Sequence, residues 1–418
     1  MPLTPGRVVG IAVGALAILG IGVYGPAMLL GPLPAVTVVP AAAAAADVPA
    51  ATSITLPDVG ASATVALDET GAASTVATAG DTAVVPIGGA AKLVTVLATL
   101  DGMPLGADSA GPDIKIGPED YTDFLRYQSE GSRTLQVSPG DTWSERDVVR
   151  AVLLASSNNH ADTLARWAFG SPEQYVTAAN EWLAANGFTQ TRVADATGLS
   201  GDDVGTAEEV AKLGALVVAH PVLASILAGE GPTGVGVREI PDVVSYEGGP
   251  GVRALVRSFT DQAAISFVFA STVPGSAGAA AARFVTAMVL IPDYDTLEPA
   301  VAAVVASSGT TAVTVDVIAA GTSFGAVRSA WGDRADLVAS ATRSGNGWSA
   351  ATGEPALEVE AFTTAKAGQS VGTVTVETPD GALTSPLELS ASIDDPGPLW
   401  RLANPGAIID AYLTERGD

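Results

Sequence analysis

The apolar pattern changes period several times along the chain, and each change marks an element. Residues 8–30 show no alternation: they are 23 almost wholly apolar residues, inside a charge-free stretch running from position 8 to position 46. As a helix they are long enough for a hydrocarbon core of about 30 Å, with every backbone polar group satisfied internally. Residues 31–57, rich in Pro, Ala and Val, read as a linker. In residues 61–77 apolar and polar positions alternate around a Gly-containing turn, the mark of two paired strands. Helical spacing takes over at 90–100. It returns after Pro139-Gly140-Asp141, where Thr142 to Asp147 predict a helix start with acids in the first turn, continuing over 148–155. A break at 156–159 precedes helices over 160–169 and 172–186, the latter closed by Gly187, and a further helix over 206–219. Three β-type runs follow Gly251, then a helical stretch over 300–308. Residues 311–390 are short β-type runs between Gly and Asp turns, and residues 396–418 carry a short amphipathic helix.

The predicted organisation is a cytoplasmic stub (1–7), a transmembrane helix or signal anchor (8–30), the linker (31–57), a mixed α/β domain (58–308) and a β-rich C-terminal module (309–418). Arg7, just before the apolar run, favours a cytoplasmic N-terminus. The chain is then a single-pass cell-membrane protein with its bulk outside. The competing reading is a signal peptide cleaved in the Ala run at 41–46, which would secrete the same domain.

Composition narrows the function classes. The 45 acidic residues outnumber the 20 basic ones, for a formal charge of −25. A nucleic-acid partner is excluded on that balance, because a phosphate backbone is met by Lys and Arg. There is no cysteine, so disulfides, thiolate catalysis and cysteine metal sites are out. The two histidines, His160 and His220, are sixty residues apart, and neither has a second His at ligand spacing. No metal and no cofactor is expected.

Three segments, read together, resemble the serine-type D-alanyl-D-alanine carboxypeptidases, the low-molecular-weight penicillin-binding proteins. The first is Val85-Pro86-Ile87-Gly88-Gly89-Ala90-Ala91-Lys92, which lies where that family carries Ser-x-x-Lys at a helix start. Serine and lysine three apart share a helix face, so the lysine can take the hydroxyl proton. Here Lys92 is in place but the nucleophile position is Gly89. The second is Ser156-Ser157-Asn158-Asn159-His160-Ala161, resembling the family's Ser-x-Asn loop at Ser157 and Asn159. A long continuation through Asp195-Ala196-Thr197-Gly198-Leu199 makes the likeness specific. The third is the strand that should read Lys-Thr-Gly. Gap-free anchoring puts it at Val256, Arg257 and Ser258; a register three residues earlier gives Arg253, Ala254 and Leu255. The chain has four lysines, Lys92, Lys115, Lys212 and Lys366; none has a serine three before it and none precedes Thr-Gly.

The likeness covers about residues 58–305, and Trp400-Arg401-Leu402 resembles the ends of actinobacterial members. It implies a β-lactamase/transpeptidase-like α/β domain, a sheet with a helical cluster, acting on peptidoglycan stem peptides. It also implies Lys92, Ser157 and Asn159 as catalytic remnants, with Arg253, Arg257 and Ser258 on the substrate-binding strand. With the serine gone, the expectation is a non-catalytic envelope protein that binds a peptidoglycan stem peptide or another cell-wall protein. A weakly active carboxypeptidase and a structural interaction protein stand as alternatives, the last with its cleft filled by side chains such as Phe259. Lys92 is expected as a buried partner of Ser157 and Asn159, His160 as a solvated helix-start residue, and Arg253 and Arg257 either on a solvated strand face or gripping a carboxylate.

Overall fold

Five antiparallel strands form the sheet of the larger unit, which comprises residues 52–313. Their order is Ala73–Gly80, Ala61–Leu67, Ala282–Ile291, Ala264–Val273, Val252–Thr260. The two strands near the start of this unit therefore pair with the three near its end. Small and β-branched residues suit this sheet because both of its faces are covered at the centre: all seven residues of Ala61–Leu67 are buried. At its middle Thr64 faces Thr286 across the register, and their buried hydroxyls hydrogen-bond at 2.8 Å. Helix Ala207–Ala219 lies on the sheet. It approaches so closely that a Cβ on Gly214 would stand 2.8 Å from Val285 Cγ1 and 3.0 Å from Val268 Cγ1. The computed structural model describes residues 5–40, 53–230, 238–249, 251–274, 281–348, 354–378 and 381–417. The Ala run at 41–46, read as a cleavage site, lies outside them.

The helical cluster is built around Ala91–Gly102, buried from Ala91 to Leu100. Apolar residues all round, rather than on one stripe, are what a helix at the centre of a domain requires. Helices Glu145–Leu153, Asn158–Phe169 and Pro172–Ala185 pack on it. Thr142–Ser144 is not a helix start as the sequence predicts. It is a short strand paired with Asp113–Lys115, and Ser144 then caps the helix by accepting from Asp147 N. Pro118–Ser129 is a helix that the apolar pattern does not announce, and Tyr294–Thr311 begins six residues before the expected 300.

The smaller unit joins residues 1–51 to residues 314–418. Its main sheet has six antiparallel strands, in the order Thr37–Pro40, Ser323–Arg328, Arg334–Ala339, Gly381–Leu389, Ser370–Thr378, Ala356–Val359. The stretch read as a linker thus supplies an edge strand, from Thr37 opposite Arg328 to Pro40 opposite Gly325. Residues 37–40 are thus part of a sheet rather than linker, while 41–52 lie outside the described residues. The N-terminal helical segment includes Val9–Leu30, 22 residues long and apolar enough to cross a membrane.

Candidate active site

The site forms where the central helix begins. A single 3-10 turn, Gly88–Ala90, leads into Ala91–Gly102. The turn is pressed between two elements that leave no room for side chains. Gly88 has φ +53°, and a Cβ there would lie 2.9 Å from Ser266 Oγ. On the other side Gly198, at φ +78°, packs its backbone against the Gly88 carbonyl, where a Cβ would collide with that oxygen.

Gly89 faces the edge strand Val252–Thr260. Its N–H donates to Ser258 Oγ at 3.1 Å. A Cβ built on Gly89 would stand 2.6 Å from Ser258 Oγ and 2.7 Å from Ser258 Cβ. The volume that a serine at 89 would need is therefore filled by Ser258, which reaches it from the strand. Of the two registers for the Lys-Thr-Gly strand, the gap-free one sets Ser258 opposite Gly89. Phe259, which the structural-protein alternative has filling the cleft, is 62 % exposed. The next residue along a strand points to the opposite face, so the filling falls to Ser258 instead.

Lys92 lies on the first turn of the helix, 6 % exposed. Its Nζ donates to the Thr197 carbonyl oxygen. That carbonyl is presented by a loop wound around Asp195, whose carboxylate accepts from Thr197 N, Thr197 Oγ1, Gly198 N and Ser200 N. Burial pulls the Lys92 ammonium down to about 8, with the nearby Asp195 charge opposing the shift. Asp203 closes the loop by accepting from Ala194 N and Asp195 N. Burial, reinforced by the Asp195 charge, pushes Asp203 up to about 7.

Ser157 and Asn159 are both buried, but their described hydrogen bonds go to each other and to neighbours, not to Lys92. Ser157 Oγ donates to Asn159 Oδ1 at 2.8 Å. The same oxygen accepts from Thr134 Oγ1 and Leu135 N, while Asn159 Nδ2 donates to Leu135 O. Asn159 therefore staples its loop to the segment at 134–135. With the Ser157 proton committed to Asn159, the 2.9 Å contact to His160 Nδ1 requires His160 to donate from Nδ1. His160 is not the solvated residue expected. It is fully buried, its ring centroid is 4.3 Å from that of Trp143, and burial depresses it to about 3, so it is neutral.

The strand arginines are also engaged. Arg253 pairs with Asp242 at 2.6 Å, and Arg257 donates from one terminal nitrogen to Val243 O. Arg133, which the sequence does not single out, donates to the Arg257 carbonyl oxygen. Burial and the like charge of Arg257 lower its pKa. Neither Arg133 nor Arg257 forms an ion pair among the described residues.

The sequence model of the D-alanyl-D-alanine carboxypeptidases matches residues 50–227. Over those residues, less than half of the chain, the sequence is similar to that family. A D-alanyl-D-alanine endopeptidase of Pseudomonas aeruginosa is 30 % identical over 141 residues, 34 % of this chain and 42 % of the relative. The chain thus matches less than half the length of that relative. Among solved structures, a D-alanyl-D-alanine carboxypeptidase of Mycobacterium tuberculosis superposes with a TM-score of 0.50 at 24 % identity, over 63 % of this chain and 96 % of that one. Penicillin binding protein 5 of Haemophilus influenzae superposes with a TM-score of 0.53 at 17 % identity, over 82 % and 100 %. At these identities the structural likeness establishes the fold: the mixed α/β architecture is of the penicillin-binding-protein type.

Proposed function

We propose that the chain is a membrane-anchored envelope protein that keeps the carboxypeptidase fold without its acyl-transfer chemistry, and serves to bind a peptidoglycan stem peptide or a cell-wall protein partner. The observation that carries this reading is the occupancy of the nucleophile's place by Ser258. Three catalytic parts fail together. The serine is absent at Gly89. The Gly89 N–H, at the helix start where an oxyanion would form, is already bonded to Ser258. The Ser157 hydroxyl, which would pass a proton to a leaving group, donates to Asn159. Loss of the nucleophile alone costs on the order of a million-fold in a serine protease. The anchor reading rests on the length and apolarity of Val9–Leu30. Binding rests on Arg133 and Arg257, two neighbouring cations without an ion-pair partner among the described residues, to which a carboxylate-ended peptide would bond.

A second reading is favoured by one specific feature. Ser258 is a half-exposed hydroxyl at the start of the helix that carries Lys92, a lysine depressed to about 8. A displaced nucleophile on the strand would make the protein a weak carboxypeptidase.

Labelling of the full chain with a fluorescent penicillin, read by intact mass and peptide mapping, separates the two. The proposal expects no adduct on the natural protein and none on Gly89→Ser, whose new side chain meets Ser258. An adduct on Gly89→Ser paired with Ser258→Gly would fit a cleft that otherwise keeps its shape. A mapped adduct on Ser258 of the natural protein would overturn the proposal in favour of the second reading.

A further inference from the structure

Helix Asn158–Phe169 carries Asn159 in its first turn and Thr163, Arg166 and Trp167 further along. Trp167 lies eight residues after Asn159, about 12 Å of helix rise. These later residues line a pocket of about 400 Å³, within the range of small-ligand clefts. The rest of its lining comes from the end of strand Asp113–Lys115 and the start of helix Pro118–Ser129. The pocket lies wholly within the larger unit, and none of Gly89, Lys92, Ser157, Asn159 or Ser258 lines it.

Asp120 is its most buried charge, 7 % exposed. Its carboxylate accepts from Gly117 N at 2.8 Å, and from Thr163 Oγ1 and Arg166 at 2.7 Å each. Arg166 makes that bond and one to Asp123 from the same terminal nitrogen, so its other terminal nitrogen keeps its donors for a ligand. Lys115 and Glu119 are exposed, and neither forms an ion pair among the described residues. Ile114, Pro118 and the half-buried Trp167 supply the apolar lining.

This mixture excludes most occupants. An anion would meet the Asp120 and Glu119 carboxylates, and a cation would meet Lys115 and Arg166. A wholly apolar ligand would strip water from all four charges. A neutral polyol suits both signs, because each hydroxyl donates and accepts. A pyranose ring adds a face of C–H groups, which calls for a flat apolar partner such as Trp167.

We propose that this pocket binds a neutral pyranose ring of a glycan strand. The proposal rests on the envelope reading above for the source of that strand, the glycan of peptidoglycan. One helix would then link a glycan subsite at Trp167 to Asn159, which bonds to Thr134 beside Arg133.

Calorimetric titration of the detergent-solubilised full chain with glycan strands freed of stem peptide by an amidase tests the site. The variants are Trp167→Ala, Lys115→Ala and Glu119→Gln, the last two at exposed positions. The natural protein should bind the strands. Trp167→Ala should weaken that binding by about tenfold or more, and each exposed variant by about threefold or more. Unchanged strand affinity in both exposed variants would overturn the proposal, even where Trp167→Ala fails to fold. Free stem peptide, titrated in parallel, separates this site from the proposed function. Peptide binding without strand binding would overturn the glycan site and leave that function standing; binding of neither would overturn the glycan site and the stem-peptide reading together. Cellotetraose distinguishes the sources: equal affinity supports a site for β-linked pyranoses in general, and strand binding alone supports one for amino sugars.

Discussion

Replacing Gly89 by Ala should destabilise the larger unit, although alanine is the better helix former. The new Cβ would lie 2.6 Å from Ser258 Oγ and 2.7 Å from Ser258 Cβ. Apolar contacts settle near 3.5–4.0 Å, so the overlap is about 1 Å with each atom. The hydroxyl can rotate away; the Cβ cannot move unless the edge strand moves. A strand shift breaks the 3.1 Å bond from Gly89 N to Ser258, worth about 0.5–1.5 kcal/mol. Overpacking of this kind costs about 1–3 kcal/mol. Helix propensity returns up to about 1 kcal/mol. The net expectation is a loss of about 1–3 kcal/mol.

The cycle with Ser258→Gly isolates the contact. Ser258→Gly alone loses the hydrogen bond and weakens a strand, at about 1 kcal/mol. In the double variant the alanine methyl fits the vacated space, so the pair should couple by about 2 kcal/mol in the favourable direction. Hydrogen exchange of the full chain, read by mass on peptides from Ala91–Gly102, reports the opening of this unit separately from the other. Gly89→Ala as stable as the natural protein, or additivity within about 0.5 kcal/mol, would refute the filled-site geometry and with it the main support for the non-catalytic reading.

Three further outcomes follow from the same geometry. His160 is depressed to about 3, below its unfolded value of 6.5, so between these pH values the unfolded state binds the extra proton and folding weakens as pH falls. Relative to His160→Gln, the natural protein should lose about 1.4 kcal/mol per unit below pH 6.5 in urea titrations; a constant difference would show that His160 charges freely in the fold. Lys92 is depressed to about 8 from 10.5, so here the natural protein should gain on Lys92→Met as pH rises from 8 to 10.5, by about 3 kcal/mol in all. A flat difference in the same exchange assay would mean the ammonium is solvated. Gly214→Ala should cost about 1–3 kcal/mol by driving a methyl into Val285 and Val268, and a stabilised variant would show that the helix sits further from the sheet.

Most elements were legible because their signals are local. Helices Pro172–Ala185 and Ala207–Ala219 carry caps at Ser171 and Thr206 and regular apolar spacing, and the three late strands are mainly apolar runs that mix β-branched and aromatic residues. What stayed hidden depends on partners far along the chain. Thr142–Ser144 is extended because Asp113–Lys115 pairs with it. Thr37–Pro40 looks like linker until it meets Ser323–Arg328. Helix Pro118–Ser129 did leave a local signal, Pro118 at its first position and Asp120 bonding back to Gly117 N, but its polar face obscured the period. At the site, Gly89 and the missing Lys-Thr-Gly could be read directly. The burial of His160 against Trp143, and the turn of Ser157 and Asn159 away from Lys92, could not, because both are set by side chains from neighbouring elements.

Gly89 and Ser258 are better understood as one feature than as two losses. With a serine at 89, the Ser258 side chain would overlap it. With a glycine at 258 as well as at 89, the helix start would keep a void and an unpartnered N–H, each costing about 1 kcal/mol or more. Together they fill the volume and satisfy the N–H. A protein still selected for acyl transfer has to hold that volume open for a reacting carbonyl, and stability pulls the other way. The tight fit of strand to helix start is what the proposed non-catalytic reading expects, with packing setting what stands at the head of the central helix. A serine at 89 alone runs into Ser258, so a nucleophile at that position requires a change at 258 as well.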